Sequence, residues 1–517
     1  MKKKTIILSI LSLFSSALLV LFPILSNNIV DEALDQNKDK VIIYIIIISI
    51  ILALLILTNT LINFLTYKFY NKEEYLLKNK LYDDLIKDDI VNLNNYKSAE
   101  IEQLFTKDVS NIISLNLITI PNCIRQISRL ILAISLIIYM VIIKELSFYV
   151  LIMIFVIGIL LLPFGRIYSK IIKPHHKNVL EKSGKLNSYL VESKDLIHLI
   201  KADNSYEYSA NYYNELNNNY LKEKNNRDFI FNITHSAIYA LSNIIFVLII
   251  ILSSYFISKG ELKYGVMVFL ILILNNVQYP LLSFSSILNQ YNESKASKER
   301  IKEILNKNIE IENKEIKDFN KIIFDNVSFK YENKDVINNL SFEINKGDII
   351  LLKGPSGIGK TTIFNLLLGF LKPIEGNIYI ETNENKININ KDTRNLFSYV
   401  PQENILFSAS ILDNFYILTG VKDIDKIKEA LTLANVLDEI DDLNISTKKL
   451  SLGQIQRILI AIAIIKNNEI YLLDEFSSAI DNKNEEIIFN NLKKLNKTII
   501  YISHKNNNLT DKIIEIK

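Results

Sequence analysis

Nine consecutive residues, Gly354-Pro355-Ser356-Gly357-Ile358-Gly359-Lys360-Thr361-Thr362, have the types and spacing needed to hold phosphate. Gly354, Gly357 and Gly359 let backbone N–H groups curl round an anion with no Cβ in the way. Lys360 can reach the β- and γ-phosphates of a nucleotide, and the Thr361 hydroxyl can ligate Mg2+. This chemistry requires a strand before the turn and a helix after it, whose N-terminal dipole favours the same anion. The apolar runs 349–352 and 363–368 supply the strand and the helix. The bare pattern also arises in ordinary Gly/Ser/Lys turns. Its strand–helix setting makes it a P-loop, and the expected ligand is a nucleoside triphosphate.

Other residues could complete such a site. Asp474 and Glu475 end the apolar strand 470–473. There Asp474 would hold Mg2+ through water and Glu475 would polarise the attacking water; otherwise the pair is a plain helix N-cap. Ser451, Gly453 and Gln454 precede a run of helix formers, where hydroxyl, amides and dipole could meet a γ-phosphate. Gln402 follows Tyr399-Val400-Pro401 at a strand end. His504, after the strand 498–502, could hydrogen-bond a γ-phosphate or be an ordinary surface histidine. Tyr331 could stack on adenine, as could many of the 26 tyrosines.

The elements that position these groups fall in two parts. Of 517 residues, 49% are hydrophobic, and the mean hydropathy is +0.19, as in an integral membrane protein. Six apolar segments, near 5–26, 41–66, 122–143, 146–166, 232–257 and 264–288, are long enough to cross a bilayer core. The loops near 67–121 and 167–231 are long and rich in Lys and Arg. The positive-inside rule then puts both termini and the P-loop region in the cytoplasm. Three lysines before the first segment hold its cytoplasmic end, and no small-residue cleavage site follows it. From Lys321 the pattern becomes a soluble α/β domain, with strands at 322–324, 327–329, 340–344 and 377–380 and helices over 410–467 and 483–495.

A net charge of +3 gives no sign of a nucleic-acid partner. The single cysteine, Cys123, excludes an intramolecular disulfide and a cysteine zinc site. Polar residues inside the spans leave two readings open. Arg125 and Arg129, four apart on one helical face, either contact an anionic substrate or headgroup or snorkel to the inner interface. Asn59, Asn63, Asn275, Asn276 and Gln278 either bond between helices or meet substrate. Acidic residues are missing from the middle of every span, which argues against a proton relay.

In order and spacing, Tyr331, the P-loop, Gln402, LSLGQIQR (450–457), YLLDE (471–475), SAID (478–481) and His504 resemble an ATP-binding cassette ATPase. The whole chain resembles an ABC exporter half-transporter, and segments 95–112, 190–207 and 297–305 are similar to its cytoplasmic loops and linker. The resemblance implies an all-α six-helix transmembrane domain (1–305), a linker (306–320) and an α/β P-loop NTPase domain (321–517). It implies that Tyr331 stacks on adenine, that Lys360 and Thr361 serve phosphate and Mg2+, and that Gln402 senses Mg2+ and couples to the membrane loops. The resemblance also implies that Asp474 supports the metal, Glu475 is the general base, Asp481 links two sites, and His504 contacts the γ-phosphate. By the same resemblance, Ser451, Gly453 and Gln454 would close on the nucleotide of a second half-transporter, identical or related. The expected activity is ATP-driven export of an unknown peptide, lipid or amphipathic drug across the cell membrane.

Three departures qualify that expectation. Leu452 stands where the signature usually has glycine, segment 443–449 lacks the usual Glu/Gly-containing loop, and the chain ends at Lys517 without a final hairpin and helices. A soluble cassette acting on ribosomes or DNA conflicts with six spans. A membrane regulator or channel that binds ATP with little turnover is the alternative reading. The absence of a peptidase-like domain before the first span argues against leader processing.

Overall fold

The computed structural model describes the chain except residues 89, 95, 97, 144–173, 176–177, 180, 306–315, 317, 332–333, 356, 384, 504–509 and 517. The expected fourth span, most of the linker, Ser356 and His504 therefore lie outside the described residues. The chain divides into two compact units, Met1–Leu85 with Lys97–Asn306 and Ile86–Tyr96 with Lys307–Lys517.

The first unit is helical. Its long helices are α1 (Lys2–Leu34), α2 (Lys38–Ile86), α3 (Ile120–Ile142), α4 (Tyr206–Ser258) and α5 (Tyr264–Leu305). Among the described residues, Lys2–Leu34, Lys38–Ile86 and Glu100–Ile142 are long and apolar enough to cross a membrane, and α4 and α5 contain the shorter apolar stretches Asn243–Ser258 and Tyr264–Pro280. At 1.5 Å per residue, α2 runs for about 70 Å, so its polar half continues well past the apolar one. Lys4 and the chain's amino terminus pair with Glu73 on that polar half, at 2.6 and 3.4 Å.

Helices α1, α3 and α5 pack on one another through small and apolar residues. α1 buries Ser9, Ser12, Ser15 and Ser16, the small polar residues that let helices approach closely in lipid. Ser16 shares a 2.6 Å hydrogen bond with Ser128, and Ser15 donates to Asn59 at 3.1 Å. Asn59 thus serves helix packing, one of its two expected roles. Before α3, two π-helical turns, Leu104–Asp108 and Leu115–Thr119, flank Val109–Ser114. They present fully buried Asp108 to α5, where Ser297 donates to it at 2.7 Å and Arg300 binds both carboxylate oxygens. Thr119 adds a 3.0 Å bond to Gln290.

The second unit contains two sheets. An antiparallel sheet runs β2-β1-β4-β5, with β1 (Lys321–Tyr331), β2 (Lys334–Asn345), β4 (Glu375–Glu381) and β5 (Lys386–Asn388). The two strands expected over 322–329 are one strand. A bulge at Asn326, whose φ is +50°, shifts register between Phe324 and Val327 without ending the ladder. The other sheet is wholly parallel, in the order β6-β7-β8-β3-β9: β3 (Ile349–Lys353), β6 (Phe397–Val400), β7 (Ile470–Asp474), β8 (Thr498–Ile502) and β9 (Lys512–Glu515). β7 and β8 are buried at every position, which is why they read as continuous apolar runs.

Helices cover this sheet: α6 (Lys360–Leu367), α7 (Ile411–Thr419), α8 (Ile424–Leu433), α9 (Leu452–Lys466) and α10 (Asn482–Lys493). One apolar core joins α6 to both sheets through Phe324, Ile344, Ile363, Phe364, Leu472 and Ile500. Another lies under α7–α10 around Phe415, Ile460, Phe476 and Phe489.

Candidate nucleotide-binding and hydrolysis site

Parallel register gathers the site. Val400 pairs with Leu473, Asp474 with Ile502, and Leu352 with Ile502, so the carboxyl ends of β6, β7, β8 and β3 lie side by side. The P-loop follows β3, Gln402 follows β6, and Asp474 and Glu475 close β7. In open parallel sheets this edge is where ligands bind.

The P-loop runs from β3 into α6. Its last glycine, Gly359, caps α6 at φ +108°, and a Cβ there would come within 2.7 Å of Val336. Only glycine fits both constraints, so the loop packs directly on β2. Close by on that hairpin, Tyr331 ends β1 with its ring 46% exposed and edge-on to Phe329, free to stack on a flat base. Lys360 is buried, and its ammonium donates to the carbonyls of Gly354 and Pro355 at 2.8 and 3.1 Å. The loop's own carbonyls thus hold this cation inside the turn.

Asp474 is fully buried, and neither carboxylate oxygen has a hydrogen-bond partner among the described residues. Burial pushes its carboxyl up to about 6; the neighbouring Thr361 hydroxyl and Lys360 oppose the shift, and the charge of Glu475 adds to it. An orphaned carboxylate beside a threonine hydroxyl fits a divalent cation. Among the described residues no cluster of three or more His, Cys, Asp or Glu side chains could hold a metal. The two groups therefore suit an ion such as Mg2+, whose remaining ligands are phosphate and water.

Glu475 adopts φ +47°, a left-handed backbone that costs a glutamate about 1–3 kcal/mol. Its carbonyl accepts from the Ser478 amide at 3.0 Å and from Gln456 Nε2 at 3.2 Å, which hold the turn. Its carboxylate accepts a 3.0 Å hydrogen bond from Gln402 Nε2. Two residues expected from separate strand ends thus meet directly.

Ser451, Gly453 and Gln454 form the start of α9. Ser451 accepts from the Gln454 amide at 3.2 Å while Gln454 Oε1 accepts from the Ser451 amide at 2.9 Å, a reciprocal cap. The Ser451 hydroxyl keeps its own proton to donate. A Cβ on Gly453 would meet the Ala479 carbonyl at 2.8 Å, so α9 can sit on the 478–481 turn only with glycine there. Leu452 is 63% exposed. Asp481 caps α10, accepting from the Asn484 amide at 2.9 Å.

Two residues carry this framework without having been singled out in the sequence. Gln456, fully buried, bridges Glu475 to the next turn by accepting from the Ala479 amide at 3.0 Å. Arg457 is buried and donates to Glu439 and to the Asn435 carbonyl at 2.6 Å. Both lie in the LSLGQIQR run, where their polarity on an otherwise buried helix was the available signal.

A parallel sheet whose strand ends carry a P-loop, an orphaned aspartate and a Gln–Glu pair defines a nucleotide-binding cassette, here in one chain with long apolar helices. The chain belongs to the ABC transporter family: the ABC transporter transmembrane region matches residues 5–281, and the ABC transporter domain matches 337–478. It is 29% identical to an export ATP-binding/permease protein of Rickettsia felis, over 97% of this chain and 90% of that one. It is 30% identical to the Lactococcin-G-processing and transport ATP-binding protein LagD of Lactococcus lactis, over 63% of this chain and 48% of that one. The structure of a bacterial Atm1-family ABC exporter with ATP bound shares its fold, with a TM-score of 0.84 and 20% identity over 100% of this chain and 93% of that one. The protein is a multi-pass membrane ABC exporter with a fused ATP-binding domain.

Proposed function

We propose that this chain is half of a dimeric exporter that hydrolyses ATP to move its substrate out of the cytoplasm. The observation that carries this reading is the convergence of Lys360, Thr361, Asp474, Gln402 and Glu475 on one sheet edge, in a chain that also supplies membrane helices. In it, residues 1–305 span the membrane with both termini cytoplasmic, and 321–517 form the cassette.

ATP would lay its base on Tyr331 and its phosphates in the turn of 354–362. Lys360 would leave the Gly354 and Pro355 carbonyls for phosphate oxygens. Thr361 and Asp474 would hold Mg2+, whose charge would offset that of the β- and γ-phosphates. Glu475 would take a proton from the attacking water, and its bond to Gln402 aims it. Ser451, Gly453 and Gln454 would cover the nucleotide of the second subunit, with the Ser451 proton and the α9 dipole facing its γ-phosphate. His504, which follows β8 in the sequence, would serve the γ-phosphate of the nucleotide held by its own chain. Relatives that process or translocate peptides and toxins favour a peptide cargo.

One observation favours the alternative of ATP binding with little turnover: exposed Leu452 sits where the backbone must approach a partner's phosphate. Steady-state hydrolysis by the full chain in nanodiscs with Mg2+ separates the readings. Sustained turnover that falls on dilution to monomer supports the exporter. Binding without turnover, recovered in Leu452→Gly, would replace it with the regulator.

A further inference from the structure

We infer that the membrane helices hold an anion-binding site built on Arg125 and Arg129, and that the exported substrate is an amphipathic anion. The inference rests on the transport reading above and adds the chemical class of the cargo.

Arg125 and Arg129 lie one turn apart on α3, about 6 Å along its axis and on the same face. Arg129 is seven residues inside the apolar segment, about 10 Å from its end. It does not snorkel along its own helix. Its Nε donates to Asn276 Oδ1 on α5 at 2.6 Å, and its guanidinium lies over the Tyr279 ring, 5.4 Å from the centroid. Arg125 is steadied by Asn122 Oδ1 at 2.9 Å. Asparagine and tyrosine orient these cations without neutralising them. Two like charges on one helical face repel each other.

Carboxylates are missing from the apolar segments. None of the six apolar segments contains an Asp or Glu, the segment outside the described residues included. The apolar segments of a second identical subunit would bring none either. Among the described residues no carboxylate acts on either guanidinium. A bound anion would supply the counter-charge that these segments lack.

The geometry leaves room for it. With Nε committed to Asn276, the other two nitrogens of Arg129 form a fork suited to a carboxylate, sulfonate or phosphate. Asn275 and Tyr279, a turn apart on α5, are exposed on that side. A ligand that pairs its acidic head with Arg129 would lay an apolar body along the Tyr279 ring and the Ile and Leu side chains around it.

The test is equilibrium binding, without ATP, to the full chain in phosphatidylcholine nanodiscs. The probes are a dansyl-labelled undecanoate and the same fluorophore and chain ending in an ammonium. The anion should bind, the cation should bind at least about tenfold more weakly, and the Arg125→Gln, Arg129→Gln pair should lose about tenfold in anion affinity. The Arg125→Lys, Arg129→Lys pair should retain most of it, which separates lost charge from lost fold. Equal binding of the two probes, or an unchanged affinity in the glutamine pair, overturns the site. Displacement of the probe by phosphatidylglycerol in the disc would assign the site to lipid headgroups and overturn the substrate class. Because no nucleotide is present, these outcomes are independent of whether the protein hydrolyses ATP.

Discussion

The cassette and the membrane helices organise polar groups in opposite ways. In the cassette, chemistry sits on short contiguous turns at strand ends, and backbone register brings those turns together. In the helical unit several polar groups on long helices find partners far along the chain: Arg129 with Asn276, Asp108 with Arg300, Ser15 with Asn59. The first arrangement uses backbone amides that any sequence has, arranged by glycines and caps. The second relies mostly on side chains, so one substitution can remove a whole connection. Damage in the cassette should therefore spare its fold and cost chemistry, whereas damage at helix crossings should cost stability.

Asp108→Ala should show this most strongly. It leaves half-exposed Arg300 beside a cavity and removes a fully buried carboxylate with its bonds to Ser297. A loss of about 2–3 kcal/mol is expected, below the usual range for a buried pair because Arg300 reaches solvent. Thermal unfolding in detergent should register it, and adding Arg300→Gln should cost little more, because the two residues share one interaction. Additive losses would break the assignment.

Lys360→Ala should leave the unfolding temperature close to that of the parent but weaken ATP affinity about 10–100-fold, the worth of a charge-assisted contact. Calorimetric titration with ATP checks it. A stability loss with unaltered affinity would mean that the lysine only braces its own loop.

Asp474→Asn has the more unusual effect. Burial raises the carboxyl to about 6, so the folded protein binds this proton more tightly than the unfolded chain does. Its stabilising contribution is complete below about pH 4 and is lost as pH rises through 6. Without nucleotide and metal, the asparagine variant should thus gain about 3 kcal/mol over the parent by pH 7.5, and little at pH 4. Mg2+ with ATP should stabilise the parent and reverse the order. Equal stability of parent and variant at pH 7.5 would mean that Asp474 is not held as an orphaned anion.

The same contrast explains what the sequence made legible. The P-loop, the buried strand ending in Asp474, and the helix starting at Ser451 each need a local pattern of a few residues, and each stands where expected. The bulge at Asn326 was not legible, since an asparagine with positive φ looks like a turn until a ladder continues past it. Nor was the left-handed Glu475, whose strain is held by Gln456, nineteen positions earlier in the chain. The π-helical turns that aim Asp108 at Arg300 leave no trace in a stretch that reads as ordinary helix. For Arg129, snorkelling and inward contact have the same sequence, and only the position of Asn276 decides between them.

The central claim, that this cassette hydrolyses ATP through Glu475, is tested most directly by Glu475→Gln. The substitution keeps size and the hydrogen bond to Gln402 but removes the base. Steady-state hydrolysis with Mg2+ should fall by about 10²–10⁴-fold, while ATP affinity measured on the same preparation stays at the parent value. Hydrolysis at the parent rate by Glu475→Gln would contradict the account.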